Sequence, residues 1–100
     1  MSRFIEIRVN RLQAVVMSDF VKLENQFNEI INQYERGGLA AKIAYKRAND
    51  LKARFHVLCA RLRNIVAAAN NFDSCADHSI NKGFAAQFCI IQDKLNYFGL

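Results

Sequence analysis

One hundred residues, 52% hydrophobic and 23% charged, are enough for one folded domain and too apolar for a disordered chain. The longest uncharged stretches, such as residues 83–92, are about half of what a bilayer span needs, and Arg3, Glu6, Arg8 and Arg11 break up any secretory leader, so no membrane partner is expected. Three cysteines, an odd number in a chain without a leader, point to free thiols in a reducing compartment, the cytoplasm.

From the start of the chain, Ile5, Val9, Leu12, Val16, Phe20, Leu23, Phe27, Ile30 and Tyr34 recur at steps of three and four. That spacing predicts an amphipathic helix over about residues 3–36. Residues 4–9 also partly alternate like a strand, but a lone strand has no partner in this chain. Ser18-Asp19 is a candidate break, because either side chain can cap a new helix start. Gly37-Gly38 follows, and glycine just past a helix end takes a left-handed conformation that other residues resist. So short a connection predicts an antiparallel hairpin.

The second predicted helix, about residues 39–70, carries Ala44, Ala48, Leu51, Phe55, Leu58, Leu62, Ile65 and Ala69 at steps of four and three. It also carries the charge of the molecule. The formal net charge is +5, and between residues 39 and 70 seven basic residues stand against one acid, Asp50. Residues 1–36 balance to zero and residues 72–100 to −1. Turning about 100° per residue puts Arg47, Arg54 and Arg61 in one row beside the apolar stripe, with Lys42 and Lys46 on the outer face near the helix start. Two readings compete for the row. Asp50 is suitably spaced to pair with Arg47 and Arg54 on a solvated flank; alternatively, the row is a docking strip for phosphates or an acidic protein surface. Ala53, Ala60 and Ala67, with His56 among them, form a row of small residues farther round. Such a row reflects helix propensity alone or a ridge for close approach of another helix.

Pairing the two helices across the turn places Asp19 opposite Arg54, Gln26 opposite Arg47, and Arg61 near Gln13. Residues 70–83, rich in Asn, Asp and Ser, are expected to be irregular, with Ser74-x-x-Asp77 resembling a helix start. A third helix is predicted over about residues 79–97, its regular part beginning at Phe84 because Gly83 costs about 1 kcal/mol inside a helix. The apolar tail, residues 97–100, is expected to pack onto the other helices. The expected fold is therefore all-α: an antiparallel three-helix bundle built on a long αα-hairpin, forming a single helical domain over residues 1–100. A third helix this short leaves part of the hairpin bare, with Phe4, Ile5, Val9, Tyr34 and Tyr45 as candidates for exposure.

Catalytic chemistry has little to draw on. Neither His56, His78 nor any of the three cysteines sits in a nucleophile motif, the nine acids are scattered, and Gly37-Gly38 joins helices and does not cradle phosphate. No enzyme activity and no cofactor are expected. His56-x-x-Cys59 and Cys75-x-x-His78 mirror metal-ligand spacings, but Cys75 lies beyond the helix end, roughly 16 Å past Cys59 at helical rise, so no metal site is assigned. Cys59 and Cys89 fall at similar heights and are expected as packed thiols. The leading functional expectation is a small non-catalytic binding protein, an inhibitor, adaptor or assembly factor of a size that suits a phage or mobile element. It would dock on an acidic protein surface through Lys42, Lys46, Arg47, Arg54 and Arg61. The alternatives are a nucleic-acid binder using the same helix and a structural homo-oligomer such as a homodimer.

Overall fold

The computed structural model describes residues 2–70 and 76–100, with side chains described for residues 8, 10–69 and 82–100. It is all-α: α1 spans Ser2–Glu35, α2 spans Gly38–Asn70 and α3 spans Ala76–Tyr97. The 34 residues of α1 rise about 51 Å at 1.5 Å each, which sets the long dimension of a rod measuring 57 × 18 × 17 Å. Among the described residues no helix is long and apolar enough to cross a membrane.

Helix direction follows from side-chain contacts. Phe20 meets Phe55, and Gln33 meets Arg47, so numbers fall along α2 as they rise along α1. Phe20 meets Phe84, and Tyr34 meets Phe98, so α3 runs in the same sense as α1. One continuous apolar core joins all three helices, and among the described residues no polar or charged side chain is buried in it. Phe20 is 0% exposed and touches aromatic rings from both other helices. Near the turn, Ala44 and Ala48 are fully buried at the heights of Phe27 and Ile30, so small side chains on α2 make room for large ones on α1.

Both helix ends near the turn are stopped by glycine. Gly37 has φ 73° and donates its N–H to the Tyr34 carbonyl at 3.1 Å, while Gly38 has φ 58°. At the end of α3, Gly99 (φ 75°) donates to Asn96 at 3.0 Å and Leu100 donates to Leu95 at 2.9 Å. This paired arrangement satisfies two carbonyls that the helix leaves open. It turns the chain back over the core, with Phe98 buried and Lys52 Nζ donating to the Leu100 main-chain oxygen at 3.0 Å. The tail is therefore packed, and Tyr34, expected as a bare aromatic, is half-buried against Tyr97 and Phe98. Tyr45 is exposed, and the side chains of Phe4, Ile5 and Val9 lie outside the described residues.

Several expectations need correction. α1 is helical from Ser2, as its spacing predicts, but it continues unbroken through the candidate break at Ser18-Asp19. α3 begins at Ala76, so the segment expected to be irregular is helical from there through Gly83; Ser74 and Cys75 lie outside the described residues. Helix propagation adds one bond per residue once a nucleus exists, so the anchored turns beyond Phe84 carry the weaker residues before it. Gly83 accepts its cost in open surroundings: a Cβ built there meets nothing within 4 Å. Gly83→Ala is therefore expected to stabilise the fold by about 0.5–1 kcal/mol. At Gly37 the same change, forced into positive φ, costs about 1–2 kcal/mol. Urea midpoints for the two variants should move in opposite directions; equal shifts would mean that residue 83 is not helical.

The interhelical register differs in an instructive way. Arg61 pairs with Asp19 at 3.7 Å, and Arg47 donates to Gln33 Oε1 at 3.2 Å. Each pairing lies about seven residues from the match by height, which placed Asp19 with Arg54 and Gln26 with Arg47. Side chains on a helix tilt toward its N-terminus. On α1 that is away from the turn, and on α2 toward it. Two side chains starting at different heights therefore converge.

Candidate functional site

The row of Arg47, Arg54 and Arg61 lies on the flank of α2 away from α3. The other flank is occupied: Lys52 reaches the tail, and half-buried Cys59 packs against the core. All three arginines are exposed, as are Lys42 and Lys46 farther round the helix. Ala53, Ala67 and His56 are exposed, but Ala60 is half-buried, so the row of small residues is not a uniformly open ridge.

Between this flank and α1 runs an open groove formed by two adjoining clefts. The first, of about 400 Å³, is lined by Asp19, Lys22, Leu23 and Gln26 of α1 and by Ala53, Arg54, Val57, Leu58 and Arg61 of α2. The second, of about 170 Å³, is lined by Gln26, Ile30, Arg47, Asp50, Leu51 and Arg54. Gln26 and Arg54 belong to both. Leu23, Leu58, Leu51 and Ile30 give the groove an apolar floor, and Val57, 54% exposed, stands in it. Four cations and two acids line the walls.

Pairing within the groove is light. The Arg61–Asp19 ion pair joins side chains 58% and 31% exposed, a class worth about 0–1 kcal/mol. Arg47 is engaged by the neutral Gln33 amide. Neither Arg47 nor Arg54 makes an ion pair with Asp50 among the described residues, although both spacings along the helix allow it. Arg54 sits midway along the row and lines both clefts.

Reading the chain one helix at a time finds the arginine row but misses its surroundings. Val57 shares a stripe on α2 with Leu39, Ile43, Arg47, Asp50, Arg54 and Arg61, stepping by fours and threes beside the core stripe. On α1, Val15, Asp19, Lys22 and Gln26 repeat the same spacing. Exposed Ile43, Val57 and Val15 within these stripes were the available signal.

Among the described residues no group of three or more His, Cys, Asp and Glu side chains is placed to hold a metal ion. His56 is exposed and Cys59 half-buried, while the side chains of Cys75 and His78 lie outside the described residues. Cys59 and Cys89 are free, and Cys89 is exposed, so the expectation of two packed thiols fails for Cys89. Burial pushes the Cys59 thiol above its ordinary range, and the positive charge of Arg63 offsets this only in part. Because the thiolate is the reactive form, iodoacetamide at neutral pH should modify Cys89 about tenfold faster than Cys59, as followed by peptide mass. Equal rates would contradict the packing of Cys59 against the core.

No protein-family model, curated protein or solved structure matches the chain.

Proposed function

We propose that the chain, as an antiparallel three-helix bundle, is a non-catalytic cytoplasmic binding protein, an inhibitor, adaptor or assembly factor. It docks on an acidic protein surface through Arg47, Arg54 and Arg61, with Lys42 and Lys46 extending the positive field. The observation that carries this reading is the groove: exposed guanidinium groups with little internal pairing flank an apolar floor. Interfaces of this composition, arginine beside apolar contacts, supply both orientation and binding energy. A rigid helical scaffold also loses little entropy on docking.

The second reading, a nucleic-acid binder, draws on the pI of 9.4 and the charge concentrated in α2. An apolar floor has no counterpart in a phosphate backbone, and most of the aromatic residues with described side chains pack in or against the core, leaving few of these to stack on bases. Capture from a host lysate with and without nuclease separates the two. Retention of a protein after nuclease, and its loss when the three arginines become glutamates, is the expected result; loss of all capture with nuclease would overturn the protein-partner reading.

A further inference from the structure

Building on the protein-partner reading, we infer that the α1–α2 groove receives an acidic amphipathic helix of the partner, laid along α2 as a fourth rod. Shape, charge and spacing agree on this occupant. The two clefts adjoin through Gln26 and Arg54 and make a continuous trough parallel to the helices, not a closed pocket for a small molecule. Its floor is aliphatic, which suits the apolar stripe of a helix.

The cations fix the pattern on the walls. Arg47, Arg54 and Arg61 stand seven residues apart, so their Cα atoms step by about 10.5 Å along α2. A helix docked alongside presents side chains with the same seven-residue repeat, and acids at that interval would meet each arginine in turn. Asp19 and Gln33 hold Arg61 and Arg47 only loosely, at 3.7 and 3.2 Å, so an incoming carboxylate exchanges for a weak contact.

A second copy of this chain does not meet the requirement. It carries the same +5 charge, and no two of its nine acids are seven residues apart. A nucleic-acid strand presents closely spaced charge but nothing apolar for Leu23, Val57 and Leu58.

The test uses the full chain and two synthetic helical peptides of about 21 residues. Both have one leucine stripe and identical composition; one places glutamate every seventh residue beside that stripe, the other on the opposite face. Fluorescence anisotropy at about 0.15 M salt should show the flanking-acid peptide binding at least tenfold more tightly, a difference of about 1.4 kcal/mol. Arg54→Glu should weaken it about tenfold, and Val57→Asn, which leaves the charge unchanged, severalfold. Circular dichroism should show that both variants keep their helix content.

Equal binding of the two peptides, with no effect of Val57→Asn, would overturn the groove proposal while leaving a basic docking flank intact. Binding of neither peptide, together with tight binding of a DNA duplex, would overturn both readings. Peptide binding that falls as self-association rises would assign the groove to a second copy and also end the proposal.

Discussion

Phe20→Ala is expected to cost about 3–5 kcal/mol, a large share of the roughly 5–15 kcal/mol that holds a domain of this size together. Phe20 is fully buried where the three helices meet, with ring centroids 6.2 Å from Phe55, 5.7 Å from Phe84 and 5.4 Å from Phe88. These rings meet in tilted and edge-on arrangements that add to the burial of each one. Truncation removes the central aromatic contacts among those that couple α3 to the hairpin, and rigid helices cannot collapse into the hole without losing contacts elsewhere. Thermal unfolding should fall by more than about 15 °C. Phe20→Leu, which conserves most of the volume, should lose less than about 1.5 kcal/mol. If Phe20→Ala melted within a few degrees of the parent, α3 would not be seated on Phe20 and the three-way junction would be wrong.

The hairpin was readable from the sequence because its signals agree. A stripe stepping by threes and fours, no proline, and a Gly-Gly pair all point one way, and the observed ends of α1 and α2 fall within one residue of those read. The start of α3 was not readable, because Asp77, Ser79, Asn81 and Gly83 are poor local evidence for helix and their state depends on what anchors the turns beyond them. Leu12 shows a related limit of periodicity. It has core spacing, yet it is 43% exposed; a repeat tells which way a side chain points, not what stands opposite. The register was readable in sense but not in its polar partners. Height alone ignores that Arg61 and Asp19 lean toward each other from opposite directions along the rod. The candidate groove was half legible for the same reason. One wall is a row on α2, while the other wall and the floor exist only once α1 is laid beside it.

Changing Arg47, Arg54 and Arg61 together to glutamate should abolish capture of the partner while leaving the fold largely intact. Stability has little at stake on this flank. The Arg61–Asp19 pair is exposed and weak, and Arg47 contributes one exposed contact to Gln33. New repulsion of the introduced glutamates against Asp19 and Asp50 adds a few tenths of a kcal/mol each, so the total loss should stay near 1–2 kcal/mol. Binding has much more at stake, because each substitution replaces an attraction by a repulsion of the same acidic surface, and the net charge falls from +5 to −1. Location is separated from net charge by a matched control. Arg11, Arg36 and Lys82 are exposed and away from the groove, and changing them to glutamate produces the same −1. Screening confines exposed charges to about 8 Å at physiological salt, so the control should retain most of its capture at that ionic strength and lose ground only in dilute buffer. Equal loss in both triple variants would mean that the partner responds to overall charge, and the arginine row would then have no claim to be the site.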